Sequence, residues 1–240
     1  MEKVYVVPVQ DHCNCNCTFC ISKTRSYNKR PSMMQMDDSF FRNLELLKSL
    51  NIKKVEITGG GEPTIHKELQ VIIDYLREYL KGCYIKLYTN GRLEVPIQNV
   101  NEINISLAHL DDDINKQIMR YTDSKRIFEI IKFYKRYTNR LRLSIPIISG
   151  AIDSEKKMRE LIDSTKQYIT EYVVRTLYDG TFDIEKNYAD FNINNPIVKM
   201  EKDNCLCEFN DRLIMWSDNH IYTSWNLDEE YNQSKGRCYK

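Results

Sequence analysis

Short apolar runs alternate along this chain with stretches whose apolar residues recur every three or four positions. Residues 4–9 read as a first buried strand, and Phe40, Phe41, Leu44, Leu47 and Leu50 mark a helix over 37–50. Asp37 and Asp38 suit the N-terminal end of that helix. Further strands are predicted over 54–58, 84–88, 102–107, 141–148 and 172–177. Helices are predicted around Leu69–Leu80, Ile127–Tyr134 and Met158–Thr165. Gly59-Gly60-Gly61 ends the second strand and Asn90-Gly91 the third.

Repeated βα units predict a parallel sheet with crossover helices, a partial (β/α)6 TIM-like barrel of the α/β class. By analogy with closed barrels, the active site belongs at the C-terminal ends of the strands. Beyond Leu177 the pattern changes. Residues 179–204 are polar, rich in Asn and Asp and weakly periodic, and a hairpin is predicted through 213–225. The expected division is a barrel over 1–178 and a small C-terminal extension over 179–240.

With 240 residues, 42% hydrophobic and 29% charged, the composition is that of an ordinary globular protein. The net charge of +1 argues against a general nucleic-acid binder, which needs a basic excess. Basic runs at 23–30 and 132–142 read first as solvated surface; the former, next to the cysteine loop, is a candidate grip on an anionic substrate. No apolar stretch reaches the length of a membrane span, and the N-terminal run lacks the features of a signal peptide, so a cytoplasmic location is expected. The eight cysteines include four within residues 13–20, a clustering that reads as metal ligation rather than a disulfide framework.

Cys13, Cys17 and Cys20 have the spacing C-x3-C-x2-C. Thiolates bind both iron–sulfur clusters and zinc. Three of them leave one iron of a [4Fe–4S] cube without a protein ligand, which is what a substrate-binding cluster requires. The competing reading is a structural zinc completed by His12 or Cys15. Phe19 precedes the third ligand and is placed to shield the site. Thr58-Gly59-Gly60-Gly61-Glu62-Pro63 follows the second strand, where glycines let backbone approach a ligand closely.

The cysteine spacing followed by Gly-Gly-Glu-Pro resembles the radical S-adenosylmethionine (SAM) superfamily. The resemblance spans residues 4–177. It implies an enzyme whose open iron binds the amino and carboxylate groups of SAM. An electron then breaks the C5′–S bond, and the 5′-deoxyadenosyl radical abstracts a substrate hydrogen. It also implies that Gly60, Gly61 and Glu62 meet the SAM amino group. Thr89-Asn90-Gly91 resembles the family's Thr-Asn-Gly, with a plain turn as the alternative, and Ser106 stands where a ribose contact is common. Residues 145–148 are an adenine wall or a core strand. Arg175 faces the methionine carboxylate or a substrate, or makes a structural ion pair.

Cys205 and Cys207 ahead of the hairpin resemble the start of SPASM and twitch extensions. With Cys238 they are candidates for a second iron–sulfur cluster, against a decayed extension with free thiols or a hydrogen-donating thiol. The resemblance favours maturation of a ribosomally made precursor peptide, by cross-linking or epimerisation. Alternatives are a small-molecule or nucleotide substrate, a glycyl-radical activase and, from another class, a non-catalytic zinc module. A reductant such as flavodoxin or ferredoxin is the implied partner.

Overall fold

In the computed structural model the described residues are 2–20, 22, 32–175, 195–201, 212–223 and 225. Among these residues nine strands form one open sheet in the order β7-β6-β5-β4-β3-β2-β1-β8-β9. The first six are β1 (Lys3–Val6), β2 (Lys54–Ile57), β3 (Tyr84–Thr89), β4 (Glu102–Ser106), β5 (Leu141–Pro146) and β6 (Glu171–Arg175). All pair in parallel, as the alternation with helices requires. The open (β/α) sheet is therefore the partial barrel that the pattern predicts.

The helices are α1 (Asp38–Ser49), α2 (Leu69–Tyr79), α3 (Asp112–Met119), α4 (Ile127–Lys135) and α5 (Glu155–Thr165). Asp37 caps α1 by accepting from the Ser39 and Phe40 amides. Two apolar clusters fill the space between sheet and helices. One joins Val4, Val55, Ile85 and Leu213 to Leu44 and Ile73; the other joins Ile103, Leu143 and Val174 to Ile131 and Leu161.

The C-terminal segment departs from the expected separate hairpin. The hairpin exists, as β8 (Arg212–Met215) and β9 (Ile221–Tyr222), but β8 pairs in parallel with β1 and extends the sheet. Leu213 and Met215 complete the first core cluster, and β1 gains a partner for the main-chain groups of its open edge. In the segment read as non-periodic, β7 (Val198–Glu201) pairs with β6. α3 has no counterpart among the helices that the sequence predicts. The basic run at 23–30 lies outside the described residues.

Candidate active site

The loop carrying Cys13, Cys17 and Cys20 leaves the C-terminal end of β1. Cys13 is exposed; Cys15, Cys17 and Cys20 are half-buried. The first side of the loop is held by the glycine run. The Gly61 amide donates to the Val9 carbonyl at 3.1 Å and the Glu62 amide to the His12 carbonyl at 2.8 Å. A Cβ on Gly61 would stand 2.1 Å from the His12 carbonyl oxygen, and one on Gly59 would stand 2.2 Å from the Gly61 oxygen. Glycine is therefore needed here for close approach of backbone to backbone.

Glu62 is buried and its carboxylate is fully engaged. Oε1 accepts from the Thr64 amide (3.1 Å), the Thr64 hydroxyl (2.6 Å) and the Thr89 hydroxyl (2.6 Å), and Oε2 accepts from the Asn90 amide (2.8 Å). Burial pushes this carboxyl up, while the donors from Thr64, Thr89 and Asn90 pull it down; burial prevails. The side chain thus laces the ends of β2 and β3 together, and Gly59, Gly60 and Gly61 are all half-buried.

Asn90 extends this lacing to the cysteines. Its Nδ2 donates to Asn14 Oδ1 at 2.7 Å and approaches Cys13 Sγ at 3.7 Å, and its Oδ1 accepts from the Arg92 amide at 2.9 Å. Gly91 follows with φ of 77°, in the left-handed region. Ser106 ends β4 opposite Ser144 and lines a void of about 10 Å³ with Asn90, Arg92 and Asn115, the size of one water. Arg175, at the end of β6, is half-buried with its guanidinium 5.7 Å from the Tyr88 ring centre.

The second side of the cysteine loop rests on α3. The Thr18 amide donates to the Ile118 carbonyl at 3.0 Å, and the Asn16 amide is shared between the Met119 and Arg120 carbonyls at 3.1 Å each. Cys15, Cys17 and Phe19 pack on Ala108, Met119 and Tyr121. Phe19 is therefore anchored against the end of α3. Hydrogen bonding with Cys15 lowers the Cys13 thiol against the opposing effect of burial. Cys15 is pushed up, by its hydrogen bonds to Cys13 and Cys17 and by burial.

His12 turns outward to Asp11 at 2.7 Å, and both side chains are exposed. His66 is buried, with Nδ1 accepting from the Glu68 amide, so that Nε2 donates to the Met34 carbonyl at 2.8 Å. His109 accepts from the Asp111 amide. Both histidines serve the local fold. Ile145 and Ile147 lie in the core between sheet and helices. Trp216 and Trp225 pack together beside Tyr5, at the β8 edge. Cys205, Cys207 and Cys238 lie outside the described residues.

The concave face of the sheet is ionic. Glu56 meets Lys3 (3.3 Å) and Lys54 (2.6 Å); Glu102 meets Lys86 (2.9 Å) and Arg142 (3.0 Å); Glu171 meets Arg142 (2.8 Å) and Lys199 (2.5 Å). Burial would raise Glu56, but Lys3, Lys54 and Lys86 outweigh it and hold the carboxyl at about 2. Burial, with Arg142 alongside, lowers Lys86 to about 8 despite Glu102. The Asn104 amide, fully buried on the same face, has no hydrogen-bond partner among the described residues.

A strand-end cysteine loop braced by a glycine run on an open parallel sheet defines a class of cofactor-dependent enzyme. The family model for the radical SAM superfamily matches residues 7–163, and the chain belongs to that superfamily. Enzymes of that superfamily use a [4Fe–4S] cluster and SAM.

Among curated proteins it resembles "GTP 3',8-cyclase" of Syntrophomonas wolfei, 27% identical over 156 residues, covering 62% of this chain and 48% of the relative. The protein of the same name from Aquifex aeolicus is 27% identical over 161 residues, 64% of this chain and 50% of the relative. The chain therefore spans about half the length of these relatives. Among solved structures, Streptococcus suis SuiB bound to S-adenosylmethionine superposes with a TM-score of 0.67 at 15% identity, covering 97% of this chain and 63% of that one. The anSMEcpe structure with bound AdoMet gives 0.64 at 14% identity, over 98% and 76%. At these identities the structural likeness concerns the fold.

The donor set suits the family's cofactors. Cys13, Cys17 and Cys20 are all on one strand-end loop, although among the described residues no three ligating side chains are drawn together as a metal site, and neither Gly59 nor Gly61 beside it has room for a side chain. No helix among the described residues is long and apolar enough to cross a membrane.

Proposed function

We propose that Cys13, Cys17 and Cys20 hold the cluster, that Gly60, Gly61, Asn90 and Ser106 receive SAM, and that the substrate is a small anionic molecule of nucleotide type. When bound, the cluster and SAM supply a 5′-deoxyadenosyl radical, with the electron coming from a reductant such as flavodoxin or ferredoxin. The protein's part is position. Asn90 carries this reading: its side chain joins Asn14 and approaches Cys13 while its main chain bonds Glu62, linking the loops after β1, β2 and β3. Glu62 acts through the fold of the glycine run, its carboxylate being committed to Thr64, Thr89 and Asn90.

Two observations support the choice of substrate. The relatives above carry the name GTP 3',8-cyclase. Arg175, half-buried at the C-terminal end of β6, supplies a cation at the end of the sheet where the cysteine loop lies, the charge that an anionic substrate needs. Neither observation favours a precursor peptide.

The test is 5′-deoxyadenosine formation after anaerobic reconstitution, with iron, sulfide and zinc measured on the same samples. A nucleoside triphosphate is expected to raise the rate above that with SAM alone, a phosphate-free nucleoside to do so weakly, and Cys17→Ala to abolish it. Stoichiometric zinc without sulfide would sink the assignment of the cysteines. Stimulation by short peptides but by no nucleotide would sink the choice of substrate. Loss of about four irons in the Cys13/Cys17/Cys20→Ala variant, with about four retained, would establish a second cluster, for which Cys205, Cys207 and Cys238 are the candidate ligands.

A further inference from the structure

The cysteine loop is braced from two directions, and the brace on the α3 side leads to a residue with no role so far. Arg92 follows Gly91 and is 2% exposed. Its guanidinium lies 3.7 Å from the centre of the Tyr121 ring. Nε donates to Asp123 Oδ2 at 3.0 Å, and Nη2 donates to Asp123 Oδ1 and to the Lys125 carbonyl. The segment after α3 is thus clamped from the side by the loop that also supplies Asn90. Burial alone would raise the Asp123 carboxyl, but its hydrogen bond with Arg92 and the contacts around Lys125 hold it below its ordinary value.

Arg120 leaves α3 in the left-handed conformation, φ 51°. That turn presents the Ile118, Met119 and Arg120 carbonyls to the Asn16 and Thr18 amides. The front of α3 is fixed too. Asp111 caps it, and buried Asn115 accepts from the Ala108 and His109 amides while reaching the Tyr121 hydroxyl. Tyr121 is therefore gripped on its face by Arg92 and at its hydroxyl by Asn115 and Asp112.

Resting on the assignment of the cluster to Cys13, Cys17 and Cys20, we propose that Arg92 is a positioning residue which, through Tyr121 and Asp123, locks α3 as a ledge for the cysteine loop and so withholds the Asn16 and Thr18 amides from the cluster. Main-chain N–H groups that donate to cluster sulfur raise the reduction potential. Amides bonded to α3 carbonyls are unavailable for this. The ledge thereby keeps the potential low, as reductive cleavage of SAM demands. Lysine would not replace Arg92, because the site uses a planar guanidinium that stacks and donates in two directions at once.

The test compares wild type with Arg92→Met and, as a milder change, Asp123→Asn. Thermal melts establish that each is folded. In protein not yet loaded with iron, the Asn16 and Thr18 amides are expected to exchange on the order of tenfold faster in Arg92→Met. After reconstitution, the reduced-cluster electron paramagnetic resonance spectrum is expected to change and the midpoint potential to move positive, with Asp123→Asn shifting the same way by less. Unchanged exchange and midpoint in a folded Arg92→Met protein would overturn the proposal, as would a fall in SAM cleavage with both properties unchanged. Should Arg92→Met fail to fold, Asp123→Asn decides on the same readouts.

Discussion

On the convex face of the sheet the strands contribute Val4, Val55, Ile85, Ile103 and Leu143, all nearly inaccessible and packed on helices. One residue along, on the concave face, the same strands contribute Tyr5, Glu56, Lys86, Glu102 and Arg142, and Glu56, Lys86 and Glu102 are as buried as the convex residues. Parallel strands covered on both sides are usually apolar throughout. Here the alternation is that of a half-solvated sheet, although both faces are withdrawn from water. Burial of apolar area accounts for the convex face. The concave face carries the desolvation cost of several charges, which ion pairs at best offset. Such a surface stabilises little.

The sharpest way to break this contrast is to remove one acid. Glu102→Ala would leave Lys86 and Arg142 facing each other without their shared carboxylate, at a cost of about 3–5 kcal/mol in a urea melt. Replacing the set together, as Lys86→Met, Glu102→Leu, Arg142→Met and Glu171→Gln, is expected to restore much of the lost stability. If this combined variant is as unstable as the single one, the concave charges serve stability and the contrast between faces fails. On the convex side, Leu87→Ala is expected to cost about 3 kcal/mol, with no compensating second change of this kind.

A smaller effect is expected where both faces meet the site. Glu62→Gln keeps the size of the side chain but puts an NH2 group in place of one acceptor oxygen, either the one that takes the Asn90 amide or the one that takes the Thr64 and Thr89 hydroxyls. A loss of about 2 kcal/mol in stability is expected. SAM affinity, measured by calorimetry on reconstituted protein, should fall with it because the glycine run loses its anchor. Wild-type stability with weakened SAM binding would mean instead that the carboxylate reaches the cofactor directly.

The first six strands and four of the helices were legible because the convex residues carry the periodicity: Phe40, Leu44 and Leu47 on α1, or Ile103 and Ile105 on β4. The pairing of β8 with β1 was not legible. A hairpin satisfies itself locally, and only the open edge of β1 makes the longer-range pairing favourable. β7 was hidden because four residues in a polar segment give too short an alternation to read. In α3, buried apolar positions are sparse, yet Asp111 followed by Asp112 and Asp113 is an N-terminal helix signal that could have revealed it. The loops with Cys13, Gly61 and Asn90 were legible because each ends a strand. Arg92 was not, since nothing in a single arginine after a turn points to Tyr121 and Asp123, some thirty positions on.

The weakest effect expected separates the faces by pH. The Glu56 carboxyl is held at about 2 in the folded protein, below its ordinary 4.5. Between those values the unfolded chain binds a proton that the folded one refuses, so stability from this group is complete above about 4.5 and is lost as pH falls towards 2. Glu56→Gln removes that dependence and leaves Lys3 and Lys54 unpaired. The variant should be about 1–2 kcal/mol less stable near neutral pH, and the gap should close as the solution is acidified through this window. Leu87→Ala, changing only the convex core, should keep a constant gap across the same range. A Glu56→Gln gap that persists unchanged at pH 2 would show that the carboxylate's charge contributes nothing to the concave face, leaving shape alone to account for it.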